Sequence, residues 1–258
     1  MQQEKKARVI SFYLPQFHPI PENDKWWGKG FTEWTNVAKA KPLFKGHYQP
    51  KIPADLGFYD LRMNEARVAQ AQLAQDAGIE GFCYWRYWFG KGKELLDTPF
   101  KEVLASGKPD FPFCVGWANH SWSSYTWEKG SSKVSDVLLM EQTYIEEDYV
   151  AHFYELLPAF RDRRYITVDG KPLFVVFDPM AIPDASVFIN TFCPFVISLI
   201  SYSPIYAATS NAHLVLVLVF SKISAIFLPF KTSCGTPFFF FSLRSAARSI
   251  RYSISSLV

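Results

Sequence analysis

The sequence predicts an α/β fold: the N-terminal half of a (β/α)8 TIM-like barrel, followed by an irregular apolar C-terminal tail. Three observations carry this. Nearly continuous apolar runs alternate with helical stretches, long polar and aromatic excursions follow two of those runs, and the composition breaks after Asp184. All 24 Asp and Glu of the 258 residues lie at or before Asp184. The 74 residues beyond it hold no acid and no Trp, but ten Phe and fourteen Ser, including the run Phe238 to Phe241. At the acid density of the first part, about ten would fall in a stretch of that length.

The first strand is expected over residues 8–14 (RVISFYL). A helix over 62–77 follows, rich in Ala, Gln and Glu, with Asp60 as N-cap and Gly78 as its stop. The second strand spans 81–88 (GFCYWRYW), and a helix over 99–106 has Thr98 as N-cap, Pro99 at its first position and Gly107 beyond its end. The third strand is 111–117 (FPFCVGW). The helix over 145–161 places Glu146, Glu147 and Asp148 in its first turn, where the helix dipole favours negative charge, and Pro158 stops or kinks it late. The fourth strand is 172–177 (PLFVVF). Three of the four strands are apolar almost throughout, as in a parallel sheet covered on both faces. Excursions over 15–60 and 118–144 then read as the loops that carry chemistry in a barrel. Four βα units make only half of one, and the tail offers no clear alternation for the rest.

Two segments follow: 1–190 as a partial barrel domain, and 191–258 as an unrelated tail, either misframed or low-complexity sequence. The formal charge of +3 conceals −2 over residues 1–184 and +5 in the tail. Without a clustered basic face, nucleic acid is excluded as a partner. Residues 185–221 carry no Asp, Glu, Lys or Arg, long enough for a membrane span, but Pro204, Asn211, His213 and many Ser break the run, so membrane contact through the tail is disfavoured. Residues 1–8 are charged and show no signal-peptide core. Cys83 and Cys114 sit in strand runs as buried thiols, and a reducing, cytoplasmic location is the expectation.

Aromatic and polar residues mix at the predicted strand ends. Tyr13, Gln16 and His18 follow the first strand, Trp85, Tyr87 and Trp88 end the second, and Trp117, Asn119, His120 and Trp122 follow the third. In a barrel these ends converge on one mouth. Flat aromatic faces stack on the C–H faces of sugar rings, while Asn, Gln and His bond hydroxyls; the alternative for each aromatic is core packing.

The run from FYLPQFHPIPENDKWWGKGFTEWTN to PADLGFYDLR resembles the opening of the WbsX-type glycosyltransferase family, itself related to the glycoside hydrolase family 99 endomannosidases. GFCYWRYWFGKGKELLDTPF, FCVGWANHSWSSYTW and VDGKPLFVVFDPMAIPDA resemble its next segments, so the resemblance covers about residues 7–190. It implies a TIM-like barrel acting on polysaccharide of lipopolysaccharide or O-antigen type, with a glycan or nucleotide sugar as substrate. It also implies a catalytic Glu pair on a Glu-Trp-Asn-Glu-like segment in the later barrel, and this sequence contains no such segment.

Glycosyl chemistry commonly needs two flanking carboxyl groups. Glu33, in an aromatic-rich loop, and Asp178, after the fourth strand, are the acids placed to meet a sugar hydroxyl; as a catalytic pair they compete with ordinary capping roles. His18, His47 and His120 lack metal-ligand spacing, so no metal is expected. No phosphate-binding glycine loop and no nucleophile elbow is present, and no cofactor is expected. The sequence reading is therefore a glycan-active domain lacking its catalytic Glu pair and inactive alone, with a carbohydrate-binding protein carrying a membrane-associated tail as the alternative.

Overall fold

The computed structural model describes residues 8–124 and 137–192, with the backbone of 199–200 and 217–218. In chain order the elements are β1 (Ile10–Tyr13), α1 (Pro21–Trp27), α2 (Glu33–Lys39), α3 (Asn64–Asp76), β2 (Gly81–Gly90), β3 (Lys93–Leu95), α4 (Thr98–Ser106) and β4 (Phe113–Trp117). Then come β5 (Trp122–Ser124), β6 (Val137–Met140), α5 (Glu146–Phe160), β7 (Thr167–Val168), β8 (Lys171–Pro172), β9 (Phe174–Val176), a 3-10 turn (Pro179–Ala181), α6 (Ala185–Phe192), β10 (Leu199–Ile200) and β11 (Val217–Leu218).

The main sheet runs β10-β9-β4-β2-β1-β11, all parallel, with β3 folded back antiparallel on β2. From β1 to β10 each crossover adds the next strand on the same side. A parallel sheet that advances one way with right-handed crossovers collects its helices on one face and curls, which is the winding of a (β/α) barrel. Among the described residues the arc is not closed. The four strands read from the sequence are its centre.

Helix-facing residues form the main core. Phe82 and Tyr84 of β2, Phe113 and Trp117 of β4, and Phe174 of β9 meet Phe100 of α4 and the buried stripe Tyr149, His152, Phe153, Leu156 and Ala159 of α5. That stripe has helical spacing, which is why this segment is a helix with one face in the core. Pro158 is tolerated because it sits in the last turn, where only one intrahelical bond is lost. Gly107 ends α4 in the left-handed conformation, at φ 69°.

Several expectations shift. The helix expected from residue 62 begins at Asn64, with Met63 at its cap. Asp60 instead accepts the Arg62 N–H at 2.9 Å and pairs with the Arg62 guanidinium at 2.6 Å, so a local Asx turn consumes its carboxylate before the helix starts. Thr98 lies inside α4, and the cap position falls to Asp97, which pairs with Lys101 at 2.6 Å. The fourth strand is split. Residues 171–172 pair with 167–168 around Asp169 and Gly170, both at positive φ (51° and 75°), a tight hairpin that precedes β9. The excursion over 15–60 contains α1 and α2, each too short to show a periodicity. The tail, which shows no alternation in sequence, contributes β10 and β11 to the two edges of the sheet.

Candidate functional site

Period-two alternation divides each strand between the helix-facing core and the inner face of the arc. On β2, Phe82, Tyr84 and Trp88 go to the helices, while Cys83, Trp85 and Tyr87 go inward. The inner rings continue from strand to strand at the C-terminal ends. Phe12 of β1 meets Trp85 at 4.8 Å between centroids, and Trp85 meets Phe177 beyond β9 at 5.5 Å. Phe177 meets His120 at 5.2 Å, and His120 meets Tyr87 at 6.4 Å. Tyr87 meets Trp122 at 4.8 Å, and Trp122 meets Trp26 of α1 at 6.1 Å. Gly116 makes the centre of this band possible: a Cβ there would lie 2.8 Å from the Trp85 ring.

Polar groups are set into the band. Gln16 Nε2 donates to the Tyr87 hydroxyl oxygen at 2.6 Å, which leaves the phenol proton for another acceptor. Gln16 Oε1 is buried with no hydrogen-bond partner. Burial first, and the Glu33 charge second, push the Tyr87 phenol well above its ordinary pKa, so it stays a neutral donor. The Glu33 N–H donates to the Gln16 carbonyl at 3.3 Å, and its carboxylate accepts from Asn36 at 3.3 Å. The rim thus gathers Gln16, Glu33, Trp85, Tyr87, His120 and Trp122.

The other sequence candidates lie elsewhere. Tyr13 donates to Gln70 of α3 at 2.6 Å and packs on Phe82 and Tyr84, facing the helices. Trp88 stacks on His152, and Trp117 donates to the Trp88 carbonyl at 2.8 Å within the core. Asn119 is fully buried. Its Nδ2 donates to the Asp178 carbonyl at 2.6 Å and its Oδ1 accepts the Asp178 N–H at 2.8 Å, a two-point clamp between the ends of β4 and β9. The Asp178 carboxylate accepts the Met180 N–H at 3.1 Å and caps the 3-10 turn. His18 is buried; burial lowers its pKa, with the Pro15 carbonyl and the Asp60 charge opposing. His47 accepts from the Leu43 N–H and stacks on Phe44. Among the described residues no group of three His, Cys, Asp or Glu could hold a metal.

Phe12, Trp26, Gly116 and Phe177 belong to the rim and were not singled out in the sequence. For Gly116 a signal existed: it stands opposite Trp85 in the ladder, a residue without a side chain beside the largest one.

An α/β chain with an aromatic rim, set with the Tyr87 hydroxyl and the Gln16 amide, at the C-terminal ends of its parallel strands is the class that fold and site define. The sequence model described as Glycosyltransferase WbsX matches residues 9–213, and the chain belongs to that family. The match runs past the composition break at Asp184. WxcX of Xanthomonas campestris pv. campestris, in strains B100 and ATCC 33913, is 45% identical over 178 residues, covering 69% of this chain and 25% of WxcX. The chain thus spans about a quarter of the length of these curated relatives. Among solved structures, the GH99 endo-alpha-mannosidase from Bacteroides thetaiotaomicron is 16% identical with a TM-score of 0.39, over 68% of this chain and 46% of that one. A glycoside hydrolase-like protein is 13% identical with a TM-score of 0.47, over 85% and 59%.

Proposed function

We propose that this chain supplies the glycan-holding rim of a site that transfers or hydrolyses glycosidic bonds in polysaccharide of lipopolysaccharide or O-antigen type, in the cytoplasm. The observation that carries the reading is the Gln16–Tyr87 pair set among Trp85, Trp122 and His120. One free phenol proton and one unpaired amide oxygen meet a sugar hydroxyl as donor and acceptor, and the rings meet its C–H face. Membership of a glycosyltransferase family supports the same substrate class.

The rim binds and orients; acid, base and nucleophile are assigned to none of its residues. Asp178 is committed to a cap, and no Glu-Trp-Asn-Glu-like segment occurs in the sequence. We therefore place the carboxylate pair outside this chain, which by itself binds glycan without turning it over. The test is titration of the purified chain with bacterial polysaccharide fragments, alongside an assay for released reducing ends. Binding without turnover is expected. Tyr87→Phe, which leaves the Gln16 amide without its acceptor, weakens binding by about 1–3 kcal/mol, roughly five- to hundred-fold. Turnover that disappears in Glu33→Gln or Asp178→Asn would overturn the assignment of the carboxylates. Binding indifferent to Tyr87→Phe and Trp85→Ala would overturn the rim.

A further inference from the structure

The excursion between β1 and α3 carries an exposed turn that the rim does not use. No acid occurs between Glu33 and Asp55, whereas Lys39, Lys41, Lys45 and Lys51 all fall there. None of the four forms an ion pair among the described residues, and Lys51 lies 4.6 Å over the Tyr48 ring. Residues 41–46 are exposed throughout, with Leu43 at 85% and Phe44 at 67%. Tyr48 and Ile52 are exposed beside them.

This display is held in place. The His47 N–H donates to the Phe44 carbonyl at 3.1 Å, the Leu43 N–H donates to His47 Nδ1 at 3.2 Å, and Phe44 stacks on the His47 ring at 4.6 Å. The base of the excursion is tied to the end of β1. Glu33 bonds Gln16, Leu61 bonds Phe17, and the Trp34 indole donates to the Tyr59 carbonyl at 2.8 Å. The turn therefore stands at the same end of the sheet as the aromatic rim.

We propose that the turn around Leu43 and Phe44 is a membrane-docking element: the two apolar side chains enter the interface of an anionic phospholipid surface, and the four lysines meet its headgroups. Charge and composition choose this occupant. A neutral glycan would leave the four lysines without counter-charges and gains nothing from Leu43, the most exposed apolar side chain of the turn, and a second copy of the turn would bring like charges together. Apolar residues flanked by lysines, with no acid in the sequence between Glu33 and Asp55, match an anionic lipid interface. No helix among the described residues is long and apolar enough to cross a membrane, and this turn would dock without spanning. The element is separate from the C-terminal tail, and the inference stands independently of glycan binding at the rim.

The test is sedimentation of the full chain with vesicles of phosphatidylcholine alone and of phosphatidylcholine mixed with phosphatidylglycerol. Binding is expected only to the mixed vesicles, weakening as salt rises. At roughly fivefold per lysine, Lys41→Gln with Lys45→Gln lowers partitioning about twenty-five-fold. Leu43→Ser with Phe44→Ser lowers it further. The Phe44 change also removes the stack on His47; the lysine pair leaves every contact of the turn intact and so reads docking alone. Absence of vesicle binding, equal binding to phosphatidylcholine alone, or lysine variants that bind like the parent would each overturn the proposal. The last outcome would assign membrane affinity to another segment, residues 193–258 first.

Discussion

His152 gives the fold a pH dependence whose size and sign follow from its surroundings. Its ring is fully buried on α5, stacked on Trp88 at 5.0 Å and met edge-on by Trp117, Phe174 and Phe192. Neither ring nitrogen has a hydrogen-bond partner. Burial first, and the Arg86 charge second, hold its pKa well below the ordinary 6.5, so the folded protein keeps it neutral. In the unfolded chain it takes up a proton near pH 6.5. A lowered folded pKa means that the unfolded state binds more protons below that point, and stability falls as pH falls. The slope approaches 1.36 kcal/mol per unit, which integrates to about 2 kcal/mol between pH 7 and 5. His18, also lowered, adds in the same direction. Asp60, Asp162 and Asp184, whose pKa values are lowered by their partners, lose their contribution only below about pH 4 and stay out of this window. Urea unfolding of the full chain at the two pH values, followed by tryptophan fluorescence, measures the difference. His152→Leu has a packing cost common to both pH values, so the pH 7 minus pH 5 difference should shrink by about 2 kcal/mol. A variant that keeps the parent's difference would refute the argument that this imidazole is held neutral.

Two further substitutions probe how the rim is built. Gly116→Ala puts a methyl group 2.8 Å from the Trp85 ring and 3.1 Å from Cys83 Sγ, both in packed surroundings. Overpacking should cost about 1–3 kcal/mol in the same unfolding assay and weaken glycan binding through displacement of the ring. An unchanged affinity would detach Trp85 from the site. Asn119→Leu strips partners from the Asp178 N–H and carbonyl, costing about 2–3 kcal/mol. Amide exchange of residues 177–182 should quicken more than that of β2, and uniform protection would refute the clamp.

The strand order was legible because β2 and β4 are apolar on both faces, and that same property hid the site. In a half-exposed strand, alternation announces which residues face solvent. In GFCYWRYW both faces carry aromatics, Trp85 and Tyr87 on one and Phe82, Tyr84 and Trp88 on the other, so Trp85 and Trp88 look alike until the sheet is assembled. Asn119 was misleading for a different reason. Its polar side chain beside a strand end suggests a ligand contact, but its partner lies 59 residues onward, and no local pattern reports a clamp of that span. α1 and α2 escaped because seven residues hold too few turns to show a period. Thr32 and Thr35, which exchange bonds with the first turn of α2, were the available signal for one of them.

The ladder itself supplies the missing parity. On the helix-facing side bulky residues mostly stand beside bulky ones, with Ser11 opposite Phe82 the exception: Phe82 opposite Phe113, Tyr84 opposite Val115, Arg86 opposite Trp117, and Tyr13 opposite Tyr84. On the inner side the two paired rings are each set against something small, Phe12 opposite Cys83 and Trp85 opposite Gly116, and the aliphatic Ile10 likewise faces Gly81. A curling sheet crowds its concave face, so two large side chains are hard to set directly opposite each other in the ladder there, and rings meet diagonally, as Phe12 meets Trp85, whereas the convex face opens to receive the helices. Aligning 10–13, 81–86 and 113–117 in this register and asking which parity sets a large ring against a small neighbour on β4 or β2 selects Phe12 over Tyr13 and Trp85 over Tyr84. The same rule extends to the glycan reading. Trp85, with Gly116 beside it, stays only partly buried, whereas Trp88 is buried against the helices, which is why a glycine stands beside the centre of this rim.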